Sequence, residues 1–255
     1  MFVDSHCHLN FPELIDQLPQ IRQAMAAAQV DRALCICTTM EEFAAVHGLA
    51  TRYDNFWATV GVHPDTEHMT EPSVQDLGER AALPRVVAIG ETGLDYFRTD
   101  EPGRPAQHAS FEAHIALAKK HAIAMQIHDR DAHDDVLETL ARVGAPEKTV
   151  FHCFSGDEQM ARIAADAGYY LSFAGNVTFK NAQNLRDALA VTPLERMLVE
   201  TDAPFLTPVP LRGRPNAPYL VPITVRFMAA ELGVELNALC AQLAANTLEV
   251  YGSFD

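Results

Sequence analysis

The sequence predicts a single (β/α)8 barrel, on three observations. Eight short apolar runs are each followed by a stretch with helical spacing, and that rhythm never breaks. No change of composition marks an internal linker, and 255 residues suit one barrel domain spanning 1–255. Histidines and carboxylates recur at the ends of the apolar runs, the edge where barrels of this kind gather their chemistry. An open doubly wound sheet is the alternative, but no glycine fingerprint follows the first run.

Phe2-Val3 opens a short strand that ends in Asp4-Ser5-His6-Cys7-His8. Side chains alternate along a strand, so His6 and His8 share a face about 6.5 to 7 Å apart while Cys7 points away. Leu14, Leu18, Ile21 and Met25 predict a helix over Pro12 to Ala28, followed by a strand over Val30 to Thr38 and a helix over Met40 to Tyr53. Phe56 to His63 reads as the third strand, and Pro72 to Ala82 as a helix with proline at its start. Val86 to Glu91 is the fourth strand, nearly all apolar as a strand covered on both faces should be. Gly93, Pro102, Gly103 and Pro105 predict a long loop over Thr92 to Pro105 that covers a site.

The second half repeats the pattern. Helices are expected over Ala106 to His121, Asp131 to Val143, Asp157 to Ala167 and Asn181 to Ala190. They alternate with strands over Ile123 to His128, Thr149 to Phe154, Tyr169 to Phe173 and Arg196 to Asp202. A proline-rich loop over Pro204 to Pro222 leads to helices over Pro222 to Leu232 and Leu236 to Tyr251.

With 48% hydrophobic and 21% charged residues, the composition is that of a soluble globular enzyme. The apolar runs are too short to span a bilayer, and no basic segment leads into an apolar one at the N-terminus, so the expectation is a cytoplasmic protein with no membrane partner. Five cysteines, mostly in buried runs, are expected to be reduced core thiols, and the Cys35-x-Cys37 pair to be strand packing rather than a metal site. A net charge of −15 disfavours a grip on long duplex nucleic acid but leaves room for short single strands or strand ends.

Barrel closure would bring His6, His8, His63, Glu91, His128, His152 and Asp202 to one mouth. A tetrahedral zinc takes about four ligands, so His6, His8, Glu91, His128, His152 and Asp202 suit two divalent ions better than one. Glu91, from the middle of the ring, is the expected bridge, with His6, His8 and Asp202 on one ion and His128 and His152 on the other. Imidazole donors suit zinc, nickel, iron or manganese more than magnesium or calcium. Asp202 and Glu91 are the expected catalytic carboxylates, Asp202 orienting a water or taking its proton. Glu200 either assists from below or is an interior carboxylate paired with a neighbour. His63 is expected to contact substrate oxygens rather than an ion, and Arg130 to meet an anionic substrate unless the acidic run Asp129, Asp131, Asp134 and Asp135 engages it. Arg212 and Arg214 are similar candidates.

DSHCHL (4–9), GVHP (61–64), GETGLDY (90–96), IHDRDA (127–132), HCFSG (152–156) and ETDAP (200–204) together resemble the TatD-type metal-dependent hydrolases, described as TatD deoxyribonucleases. The resemblance runs nearly end to end. It implies a barrel with a two-metal centre whose ligand positions fall on His6, His8, Glu91, His128, His152 and Asp202. It also implies phosphodiester cleavage from a 3′ end of DNA, with short single-stranded DNA or nucleotide ends as substrate and no obligate protein partner. Some relatives are described as removing D-amino acids from tRNA, so a metal-dependent amide or ester hydrolase is the alternative. Two departures stand out: Asn10 where many members carry Asp, and Arg-Pro-Asn-Ala-Pro (214–218) where Arg-Asn-Glu-Pro is commoner. Ala217 is expected to remove a carboxylate from the rim of the site.

Overall fold

Apolar runs that are buried on both faces become strands in the computed structural model, which describes residues 2–65 and 72–252. Among these residues the strands are β1 (Phe2–Cys7), β2 (Val30–Cys35), β3 (Phe56–Val60), β4 (Val86–Asp95), β5 (Ala124–Arg130), β6 (Thr149–Phe151), β7 (Tyr170–Phe173) and β8 (Met197–Val199). They lie parallel in one sheet in chain order, as a (β/α)8 barrel requires. The helices between and after them are α1 (Pro12–Ile15), α2 (Leu18–Ala27), α3 (Phe43–Arg52), α4 (Val74–Ala81), α5 (Arg104–His121), α6 (His133–Val143), α7 (Glu158–Asp166), α8 (Gln183–Val191), α9 (Val221–Leu232) and α10 (Leu236–Tyr251). No helix among the described residues is long and apolar enough to cross a membrane.

The sheet closes on itself at a short seam between β8 and β1. Asp202 N donates to His6 O at 3.0 Å and His8 N to Ala203 O at 2.8 Å. Below them the Asp4 side chain substitutes for a ladder, accepting from Thr201 N at 2.9 Å and Thr201 Oγ1 at 2.6 Å. The lower interior is filled by Val3, Leu34, Trp57, Val150 and Leu198, and Val250 and Tyr251 of α10 complete that cluster. A larger apolar layer lies between the strands and the surrounding helices.

Several expected boundaries differ, three of them for a clear physical reason. The helix over Pro12 to Ala28 is two helices, because Pro19 has no N–H to continue the first and instead occupies the opening turn of α2. The loop expected from Thr92 is strand as far as Asp95, paired with Ile127 to Arg130 of β5. Gly93 there is no breaker: its φ is +145°, and a Cβ would lie 2.0 Å from the His128 carbonyl oxygen, so glycine lets two backbones touch. β8 ends at Val199, short of Asp202, because the amides of Thr201 and Asp202 turn to the seam with β1.

Candidate metal centre

β1 delivers His6 and His8 on one face, their Nε2 atoms 3.3 Å apart, while Cys7 turns outward with its thiol on Leu34 O. β4 delivers Glu91, β5 His128, the residue after β6 His152, and the loop after β8 Asp202. Glu91 lies between two sets of imidazoles. Its Oε2 is 3.4 Å from His6 Nε2 and 3.9 Å from His8 Nε2. Its Oε1 is 2.7 Å from His152 Nε2, 3.0 Å from His128 Nδ1 and 3.3 Å from His63 Nε2. Asp202 Oδ1 lies 3.4 Å from His8 Nε2 and 3.7 Å from His6 Nε2. Three trios of donor atoms each fall within 4.8 Å of one another: His6, His152 and Asp202; His6, His8 and Glu91; His63, Glu91 and His128.

The outward nitrogens explain how the rings are held. Gln126 Oε1 is 2.5 Å from His6 Nδ1, Asp95 Oδ2 is 3.0 Å from His128 Nε2, and Glu200 Oε1 is 3.2 Å from His152 Nδ1. When each of these oxygens accepts the proton of a neutral ring, the inward nitrogen of all three rings is left bare. The bare nitrogens of His128 and His152 then face each other at 3.4 Å beside an anionic carboxylate oxygen. Acceptors that converge without a proton among them repel unless positive charge sits between them, so this nitrogen and oxygen set fits a dication.

Where no cation sits there, protons supply the positive charge. Burial pushes the Glu91 carboxyl up, but the His152 and His63 imidazoles more than offset it and hold it well below the usual carboxylate range. Burial drives His152 down, yet Glu91 and Glu200 hold it well above the ordinary histidine value. His63 is likewise opposed by burial and raised to about 9 by Glu91 and Asp65. Asp202, though burial raises it, is drawn down by its contact with His8 and the charge of His6.

The structure gathers His6, His8, His63, Glu91, His128, His152 and Asp202 at one mouth. His63 is nearer the cluster than a substrate contact alone requires, sharing a trio with Glu91 and His128. Glu200 follows the second of its two sequence readings: fully buried, it accepts from His152 Nδ1 and from Cys153 N at 2.8 Å. Among the described residues Arg130 forms no ion pair with the nearby acids; its guanidinium lies 3.8 Å from the centre of the Phe97 ring. Arg212 lies in the same way over Phe179, at 3.7 Å, and the Arg214 backbone carbonyl accepts from Thr207 Oγ1. Ala217 is not on the rim: it is buried with Asn216, whose amide nitrogen donates to Thr201 O and Phe205 O beneath the loop. Asn10 donates to Glu42 Oε2 at 2.7 Å, a contact an aspartate could not make. Gln126, Asp95 and Asp65 were not singled out by sequence. Gln126 stands two residues before His128 and Asp95 four after Glu91, spacings that on a strand put them on the same face.

Buried imidazoles and carboxylates collected at the C-terminal edge of a (β/α)8 barrel define a metal-dependent hydrolase. The family described as "TatD related DNase" matches residues 3–252. The "uncharacterized metal-dependent hydrolase TatD" of Mycobacterium tuberculosis is 38% identical, covering 98% of this chain and 97% of that protein. The "uncharacterized metal-dependent hydrolase YcfH" of Escherichia coli K12 is also 38% identical, covering 98% and 95%. The crystal structure of YjjV, a TatD homologue from E. coli K12, superposes with a TM-score of 0.93 at 30% identity over 99% of this chain and 98% of that one. The chain belongs to the TatD family.

Proposed function

We propose that the protein is a two-metal phosphodiesterase acting on the ends of single-stranded DNA or on short nucleotides, from the 3′ end as the family resemblance implies. The observation that carries this reading is the position of Glu91, with one carboxylate oxygen toward His6 and His8 and the other toward His128, His152 and His63. A carboxylate so placed suits a bridge, with His6, His8 and Asp202 on one side and His128 and His152 on the other. When bound, two divalent cations would lower the pKa of a water to about 7 and neutralise charge on the oxygens of the diester. Manganese, zinc, nickel or iron suits the imidazole-rich set.

The side chains divide the remaining work. Asp202 is more open than Glu91, with 15% of its side chain exposed against 4%, so a water reaches it and passes it a proton. His63, braced by Asp65, donates to an oxygen of the substrate. Gln126, Asp95 and Glu200 keep the imidazoles in the tautomers this arrangement needs. Arg130, stacked on Phe97 at the mouth, meets the anionic substrate. Five free cysteines support a cytoplasmic setting for this chemistry.

Attack on a carbonyl, as in a deacylase, is the competing reading. In related barrels that use it, a modified lysine on the fourth strand often bridges the ions; β4 here offers Glu91 and contains no lysine. Incubating metal-loaded protein with single-stranded DNA, a bis-aryl phosphate and an aryl ester separates the two. Hydrolysis of the DNA and the phosphate diester is expected, and hydrolysis of the ester alone would overturn the proposal.

A further inference from the structure

Two aromatic side chains at the barrel mouth are exposed where a polar loop residue would cost the fold less: Phe97, 62% exposed, and Phe205, 53% exposed. They flank different parts of the centre. Phe205 follows Asp202, its amide on the Asp202 carbonyl, and its ring centre is 6.3 Å from that of His8. Phe11 completes this wall, 6.2 Å from Phe205 and stacked on His8 at 4.7 Å. Phe97 lies between Asp95, which holds His128, and Arg98, whose Nε is 3.2 Å from the Asp65 carboxylate beside His63. Arg130 backs it with a guanidinium.

A phosphodiester held at the centre would direct one nucleoside toward each of these walls. The charge of the chain, −15, provides little basic surface to track a phosphate backbone, so affinity for a strand end must come from elsewhere. Exposed ring faces supply it by stacking on bases, which is strong and indifferent to base identity. We propose that Phe205, with Phe11, and Phe97, with Arg130, each stack one of the two unpaired nucleobases that flank the scissile bond. The site is thus a grip two nucleotides long. This assignment rests on the phosphodiesterase reading above.

The test uses metal-loaded protein with a thymidine dinucleotide and two analogues in which one base or the other is replaced by an abasic residue. Loss of either base should raise KM about tenfold. Phe205→Leu should abolish the penalty for one base and Phe97→Leu that for the other, since leucine keeps the apolar bulk but not the ring face. Lengthening the substrate beyond two nucleotides should gain little. Equal KM for the dinucleotide and both analogues would overturn the stacking assignment while leaving the phosphodiesterase reading intact, as would unchanged penalties in both variants. Cleavage of none of the three diesters, with turnover of an aryl ester, would remove the phosphodiesterase reading and this assignment with it.

Discussion

Gln126 holds His6 by the ring nitrogen that faces away from Glu91, its Oε1 lying 2.5 Å from Nδ1. The same amide is fixed through its nitrogen, which donates to Ser5 O at 2.8 Å and to the Tyr251 hydroxyl at 2.6 Å. Gln126→Leu removes the acceptor that selects the His6 tautomer. Metal affinity measured by titration calorimetry should fall about 10- to 100-fold. Tyr251→Phe should lower it less, in the same direction. Wild-type affinity in Gln126→Leu would mean that packing alone orients His6.

Glu91→Gln replaces one of the two inward carboxylate oxygens by an N–H donor aimed at imidazole nitrogens. Elemental analysis should find fewer than two equivalents of metal per chain, and turnover of a phosphodiester should be lost. Two full equivalents would show that the trios hold their ions without a shared carboxylate.

His63→Ala should keep both equivalents and lower kcat about a hundredfold, the effect of losing a positioned proton donor. If one equivalent disappears with the imidazole, His63 is a ligand alongside Glu91 and His128.

His114 gives a pH test away from the centre. It is fully buried in α5, Nδ1 donating to Ser110 O at 2.7 Å, and burial pushes its pKa down from 6.5 to about 4. The unfolded chain therefore binds a proton near pH 6.5 that the folded chain refuses until about pH 4. The stability contributed by the neutral ring is complete above about 6.5, falls across that window and is gone below about 4. The change amounts to roughly 3 kcal/mol. Denaturant unfolding of His114→Gln at several pH values should show a shallower acid loss than wild type over this interval. Parallel curves would place the proton uptake elsewhere.

The barrel was legible because strand and helix periods alternate without interruption, and because strand ends such as His128 and His152 carry imidazoles where an apolar run stops. Gly93 misled, since sequence does not distinguish a glycine that ends a strand from one that admits a neighbouring carbonyl. Ala217 misled similarly: a loop rich in proline and arginine looks like rim, yet the Asn216 amide pulls that turn inward. Gln126 and Asp95 were silent for another reason. Their importance lies in which ring atom they touch, and a pattern of residue types carries no atoms.

The seam between β1 and β8 has a thermodynamic consequence. His6 belongs to the first strand and Asp202 to the turn after the last, and they share one trio with His152. An ion held there would act as a clasp across the joint, binding only when the two ends of the sheet are zipped together. At a free concentration a hundred times its dissociation constant, such a clasp adds about 2.7 kcal/mol against unzipping. Availability of the cation would then govern the lifetime of the closed cylinder as well as its turnover.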